Sequence, residues 1–130
     1  FSVWDAFDYN RFAEVTHQTV AGFFPKDPPA FYEVPFGYHR IDQIKASLLS
    51  AGFGEIGAAV VQVDKAIQDA ELFARGLILG NPVVAQIEAL GNVPPAQVMV
   101  ALTQALRQAF GADPGRMQLQ AIVMQARKPA

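Results

Sequence analysis

Three glycines, Gly52-x-Gly54-x-x-Gly57, have the spacing of a dinucleotide-binding fingerprint. In that fingerprint a strand precedes the glycines and a helix follows them, so that the backbone can approach a pyrophosphate at the helix N-terminus. Here the pattern that leads into the glycines is helical, and the pattern that follows them is typical of a strand. Because this order is reversed, we expect Gly52 to end a helix and the motif to bind no cofactor.

The chain has two histidines, the side chains that most readily exchange a proton near neutral pH. His17 falls within a helical pattern and is expected to be a surface or structural residue. His39 lies where a loop meets a helix, so it either helps to begin the helix or acts as a catalytic base. Asp5 follows a strand, at the end where open α/β sheets bind ligands, and is the second candidate base. The two histidines have no paired Asp or Glu spacing, and no metal site is expected.

Residues 24–38 form a segment rich in aromatic residues that also contains four prolines. The prolines exclude a regular helix, and the aromatic side chains must either pack on a core or line a pocket. Both alternatives remain open at this point: a satellite core beneath the loop, or the wall of an apolar substrate cavity. The candidate substrate-binding residues are Trp4, Tyr9, Tyr32, Phe36, Tyr38 and His39.

Composition limits the class of protein. The 130 residues suit one domain, 1–130, and the net charge of -2 comes with scattered basic residues, which argues against nucleic acid and anionic lipid as partners. Cysteine is absent, which excludes disulfides and a cysteine nucleophile. No apolar run approaches the roughly 18 residues that cross a membrane. Asp5 and Asp8 lie where a signal peptide would be basic, so we expect a cytoplasmic protein.

The residue pattern predicts an α/β fold, rich in helix, with strands at both ends of the chain. Helices are expected over about 11–23 and 41–51, and a helical insertion over 69–110 between the last two strands, which are expected to pair antiparallel. Within the insertion Asp69 and Asn81 are predicted N-caps, with Pro82 as the first helical residue.

Two strands carry most of the predicted sheet. The Val-, Ile- and Ala-rich segment 55–64 is predicted to be a buried strand. In the last strand, 117–127, one face is expected to carry Met117, Leu119, Ala121 and Val123.

The order of several short motifs resembles the C-terminal half of a class I S-adenosylmethionine-dependent methyltransferase of the ubiquinone/menaquinone-biosynthesis kind. These motifs are Phe1-Ser2-Val3-Trp4-Asp5, then Phe36-Gly37-Tyr38-His39, then a helix that leads into Ala51-Gly52-Phe53, and then a Val-rich strand. The resemblance implies a partial Rossmann-like sheet in which the fifth strand ends near the Trp-Asp pair. It also implies a lid-like loop at 24–38, a sixth strand after Ala-Gly-Phe, and an antiparallel seventh strand that closes the sheet.

The resemblance also implies what this chain lacks. Such enzymes bind S-adenosylmethionine through a glycine-rich turn after the first strand and an acidic residue after the second, and neither is present. Many relatives also have an Asp cap where this chain has Arg40. The chain is therefore expected to be the substrate side of a larger enzyme, inactive alone and without tight binding of S-adenosylmethionine, which calorimetry would detect. A sheet cut at its fifth strand exposes an edge, so a homodimer or an element-swapped oligomer is expected.

A second function from another class fits the same residues. No complete catalytic constellation lies within the 130 residues, so the chain could be a non-enzymatic domain that binds an apolar ligand or a protein partner. The aromatic loop and the Ala-rich helices would form its binding surface. The coding sequence upstream of Phe1 discriminates the two functions, because only the enzyme needs a glycine-rich turn there.

Overall fold

The computed structural model describes residues 1–130, which form five helices and three strands. The strands are β1 (Ser2–Trp4), β2 (Gly54–Ile67) and β3 (Gly115–Arg127). The helices are α1 (Arg11–Phe23), α2 (Ile41–Ser50), α3 (Ala70–Leu79), α4 (Val83–Leu90) and α5 (Pro95–Phe110). Short 3-10 turns at Phe7–Tyr9 and Phe31–Glu33 complete the ordered elements.

The sheet has the order β1-β3-β2, with β3 in the centre and antiparallel to both neighbours. Thus β1 and β2 run parallel to each other on opposite sides of β3. The α/β class, the antiparallel pairing of the last two strands and the helices between them agree with the sequence-based prediction. No helix is long and apolar enough to cross a membrane.

The two faces of β3 are covered by different helices, because successive side chains of a strand point to opposite faces. Met117 and Leu119 join the larger core, which α1, α3, α4 and α5 build on one face. On the other face Ile122 and Met124 pack with Ile44 of α2 in a small second core. The sequence predicted burial only for the face of β3 that carries Met117 and Leu119. The opposite face, with Ile122 and Met124, is also buried, because α2 covers it.

Strand β2 is not the buried strand that its composition predicts. It pairs only with β3, and its side chains are exposed along almost its whole length. Val60, Val61 and Val63 are 55%, 44% and 49% exposed, on both faces of the sheet. The prediction was wrong because an apolar run shows that a segment is apolar and does not show whether other elements cover it. The helices that follow β2 pack mainly on each other, on α1 and on the start of β3.

Most helix ends lie where the sequence predicts them. Gly52, at φ +82°, ends α2, and the side chain of Asp69 caps α3 by accepting from the amides of Glu71 and Leu72. The predicted cap at Asn81 was wrong, because Pro82 occupies the N-cap position of α4. Asn81 Nδ2 instead donates to the carbonyl of Leu77 at 3.2 Å and so satisfies the end of α3.

Candidate functional site

An apolar depression of about 460 Å³ runs along β1. Two segments meet there: the start of the sheet and the end of the aromatic loop. The lining residues are Ser2, Val3, Trp4, Val34, Pro35, Tyr38 and Ala121. Trp4 and Tyr38 are the two predicted substrate-binding residues that the fold brings together here, with 38% and 46% of their surfaces exposed.

Trp4 owes its position to an aromatic cluster beneath it. Its ring stacks on Phe36 with centroids 5.6 Å apart, and Phe12 meets both rings edge-on. Phe36 also contacts Phe7 and Tyr32, so it is the centre of the cluster. Phe36 is buried and lines no part of the depression. It supports the site from behind, and Trp4 presents its remaining surface to solvent.

Tyr32 is a core residue whose polar end is fully used. Its hydroxyl donates a 2.6 Å hydrogen bond to the carbonyl of Leu77, and burial raises the pKa of the phenol well above its usual range. Together with Phe24 and Phe36 it holds the aromatic loop against the helices. For these three residues the satellite-core alternative describes the structure, and only the end of the loop reaches the depression.

Two predicted residues lie apart from the depression. Tyr9 is half-exposed and lines a separate hollow with Asp64 and Arg116. His39 is half-buried just before α2 and makes no hydrogen bond within the chain. His39 directly follows Tyr38, a lining residue of the depression, in the sequence.

Asp5 belongs to a buried polar network that joins the start of the chain to β3. Its Oδ1 accepts from the amide of Ala6 at 2.8 Å, and its Oδ2 accepts from Nε2 of Gln120 at 2.7 Å. Asn10 is fully buried beside it, donates to the carbonyls of Asp5 and Gln120, and accepts from the Gln120 amide. Both carboxylate oxygens of Asp5 thus already have donors, and the side chain is 8% exposed.

His17 packs inside the helical layer rather than on the surface. Its ring stacks on Phe7 at 5.7 Å, and its Nε2 lies 3.3 Å from a carboxylate oxygen of Glu33. The Nδ1 atom is buried and has no partner. The contact with Glu33 ties α1 to the turn at Phe31–Glu33, which fits the structural role predicted for this histidine.

A groove of about 600 Å³ lies between α3 and α5, and the sequence patterns did not predict it. Its lining combines apolar side chains with charged ones of both signs. The lining residues are Glu71, Arg75, Leu79, Ala96, Met99, Val100, Thr103, Gln104 and Arg107. At one end Arg107 donates to Asp113 at 2.9 Å, which raises the pKa of the guanidinium and lowers that of the carboxyl. Val100 of α5 lines the groove and is largely exposed, which depends on how α3 and α5 pack and which no sequence pattern showed.

Comparison with protein families and curated proteins identified no relative of this chain. No protein-family model matches the chain, and no curated protein is significantly similar to it. The site geometry and the strand order therefore carry the functional argument.

Proposed function

We propose that this chain is the substrate-side, C-terminal portion of an S-adenosylmethionine-dependent methyltransferase that acts on a small molecule. The observation that carries the proposal is the strand order. The last strand lies antiparallel to both β1 and β2, which run parallel to each other. An antiparallel last strand that closes a parallel sheet is the arrangement that the motif order implies. The helix α2 between β1 and β2 covers one sheet face, as a crossover helix of an α/β sheet does.

The depression at Trp4 and Tyr38 is the proposed acceptor side of the site. All three residues of β1, Ser2–Trp4, line it together with the end of the aromatic loop. Its wall is largely apolar, with an indole and a phenol at its edge, which suits a flat or apolar acceptor that carries one polar group.

Methyl transfer is an in-line displacement in which the acceptor atom takes the methyl group from a sulfonium, and the thioether leaves. Such a step depends chiefly on positioning of the two reactants. A base is needed only for an acceptor that must lose a proton. Of the two candidates, His39 has a free ring and Asp5 is committed to the buried network. We therefore assign proton removal, where required, to His39 and the placement of β1 to Asp5.

The test begins with the reading frame upstream of Phe1, in which the proposal expects a glycine-rich turn after a strand. The protein encoded by that frame is then assayed for transfer of a labelled methyl group from S-adenosylmethionine to a small-molecule extract. Tyr38→Ala should raise the KM for the acceptor and leave the KM for S-adenosylmethionine unchanged. Tyr9→Ala is the matched control, because that tyrosine is equally exposed in a separate hollow.

Two results would refute the proposal: a start codon immediately before the codon for Phe1, or no methyl transfer by the protein that carries the upstream turn. If Tyr38→Ala and Tyr9→Ala change the acceptor KM equally, the acceptor does not bind in the depression. That result would leave the proposal of a methyltransferase unaffected.

The groove between α3 and α5 favours a second candidate function, a binding module without catalysis. Its mixed lining, in which Met99 and Val100 accompany Arg75 and Glu71, suits an amphipathic ligand or peptide. Met99→Lys would add a charge to the apolar part of the lining. It should abolish binding of such a ligand and leave methyl transfer intact, so the two functions are separable by one variant.

A further inference from the structure

A polar hollow of about 340 Å³ lies beside the start of β3, apart from the depression at Trp4 and Tyr38. Residues from the turn at Phe7–Tyr9, α1, β2, α5 and β3 converge on it. Its charged and aromatic lining residues are Asp8, Arg11, Asp64, Arg116, Tyr9 and Phe110. The volume is at the lower end of the range for sites that bind small molecules. The hollow therefore has the size and the polarity of a site for a small charged ligand.

The buried side chain of Asn10 fixes one side of the hollow. It donates to the carbonyl of Gln120 and accepts from the amide of the same residue, both at 2.9 Å, and so holds the turn against β3. Asp8, Tyr9 and Arg11 are close to Asn10 in sequence, and all three line the hollow. Because Asn10 is fully buried, these side chains extend from a backbone that is fixed on the sheet. This side of the site is thus formed before a ligand binds.

Most of the charged side chains of the hollow have no ionic partner in the chain. Asp64 and Arg116 lie on the same face of the sheet, as diagonal neighbours in the pairing of β2 with β3. They form no ion pair with each other or with another residue, and Asp8 forms none. Arg11 is the exception, since its Nη1 lies 3.9 Å from a carboxylate oxygen of Glu14. A ligand of the other three groups therefore competes only with water.

The signs of these free charges select the class of ligand. Two free carboxylates and one free guanidinium match a molecule that carries two positive groups and one negative group. A basic α-amino acid has these groups, and its α-ammonium and α-carboxylate are attached to one carbon, which suits two neighbouring positions of a sheet. We propose that the hollow binds a free basic α-amino acid of the lysine or arginine class. Its α-carboxylate binds Arg116, its α-ammonium binds Asp64, and its side-chain cation binds Asp8.

Tyr9 adds an aromatic face to the part of the site that receives the side chain. Half of its surface is exposed. The face of an aromatic ring attracts a cation, and the apolar stem of a basic side chain packs on it. Asp8 is next to Tyr9 in sequence, so a carboxylate and a ring lie together, and an acidic side chain would meet a like charge there. The site does not depend on the proposed methyltransferase activity.

Analogues of the ligand test each contact. In an NMR titration of the full chain with L-lysine, saturable shifts should appear at the amides of Tyr9 and Gln118, with a dissociation constant below about 1 mM. Norleucine lacks the side-chain charge, lysinamide lacks the carboxylate, and Nα-acetyl-lysine lacks the α-ammonium. Each should bind about tenfold more weakly than L-lysine, because each loses one charged contact. L-Glutamate should bind at least about a hundredfold more weakly, because Asp8 repels its side chain.

Neutral variants of similar shape assign the contacts. Asp8→Asn should weaken binding of L-lysine about tenfold and leave binding of norleucine unchanged. Arg116→Gln should weaken L-lysine equally and leave lysinamide unchanged, and Asp64→Asn should leave Nα-acetyl-lysine unchanged. Asp27→Asn and Arg75→Gln are the matched controls, since both residues are exposed and neither lines the hollow. Circular dichroism should show the native fold for all five variants.

Three results would overturn the proposal. The first is the absence of a saturable shift at about 10 mM L-lysine. The second is equal binding of L-lysine and L-glutamate, or an equal loss in Asp27→Asn and Asp8→Asn, since either would mean general electrostatic attraction. The third is a loss of norleucine binding in Asp8→Asn as large as that of L-lysine, because the side-chain cation would then not bind Asp8.

Discussion

The carboxylate of Asp5 accepts a 2.7 Å hydrogen bond from the side chain of Gln120, across the junction between the end of β1 and the centre of β3. The two residues are 115 positions apart in sequence, and both are buried. Gln120 is in turn bonded through its side-chain oxygen to Nε2 of Gln62 on β2 at 2.9 Å. One chain of polar contacts therefore crosses all three strands.

This network should be cooperative. Asp5→Ala and Gln120→Ala each leave buried partners unsatisfied and should lower the free energy of unfolding by about 2 kcal/mol. The double variant should lose about 1 kcal/mol less than the sum, because the second change removes a contact already lost. Urea unfolding measures all three, with Asp8→Ala as the exposed control near zero. Additive losses would mean that the two side chains act independently.

Tyr32 should make the protein sensitive to alkali. Burial raises the pKa of its hydroxyl in the folded state above the unfolded value of about 10. The folded state thus holds the proton more tightly, so this stabilisation is complete below about pH 9 and is lost as the pH rises beyond about 10.

The Tyr32→Phe variant removes the titrating group together with its bond to Leu77. It should lose about 1 kcal/mol at neutral pH and show a flatter decline in stability between about pH 10 and 11. Thermal unfolding as a function of pH measures this decline, and Tyr9→Phe should keep the slope of the original protein. A steep decline that persists in Tyr32→Phe would assign the alkaline transition to other groups.

The glycines of the apparent cofactor motif should differ in importance. Gly52 has φ +82°, where any side chain is strained, so Gly52→Ala should lower the free energy of unfolding by about 1 kcal/mol. Gly57 has negative φ and open space around its Cα, so Gly57→Ala should change stability by less than about 0.5 kcal/mol. Chemical denaturation compares the two variants. Equal losses would contradict a role for Gly52 as the end of α2.

Trp4 and Tyr38, the two aromatic residues at the depression, should differ in how much they contribute to the stability of the fold. Trp4 stacks on Phe36, and Trp4→Ala should therefore lower the free energy of unfolding by about 2 kcal/mol. Tyr38 is 46% exposed and joins no aromatic pair, so Tyr38→Ala should stay within about 0.5 kcal/mol of the original protein. Differential scanning calorimetry distinguishes the two. A large loss in Tyr38→Ala would make this residue part of the core.

Local signals in the sequence predicted the elements well. The cap at Asp69, the stop at Gly52 and the helical periodicity of 11–23 each depend on residues close in sequence, and the structure has all three. Asn81 shows the limit of such rules. Its amide has carbonyl acceptors within reach at the end of α3 and the hydroxyl of Tyr32 beside them, so it bonds backward instead of capping α4.

Which apolar and aromatic side chains are buried depends on tertiary packing, and the sequence patterns did not predict it. The exposure of Val60 depends on which helices lie over β2, and no pattern within β2 contains that information. Likewise Tyr32 and Tyr38 are six residues apart in one aromatic segment, yet one is in the core and the other lines the depression. Tyr32 was a predicted substrate-binding residue, but its hydroxyl is satisfied in the core by a carbonyl from a helix 45 residues away.

The central place of β3 has a consequence for biosynthesis. β1 and β2 never touch, and each finds its only partner in the strand translated after all the others. Vectorial synthesis therefore releases the helices first and keeps the valines of β2 without a partner until β3 leaves the ribosome. The sheet must close through contacts of high sequence separation, a property that slows folding. An unpaired strand with exposed apolar side chains favours aggregation during that interval.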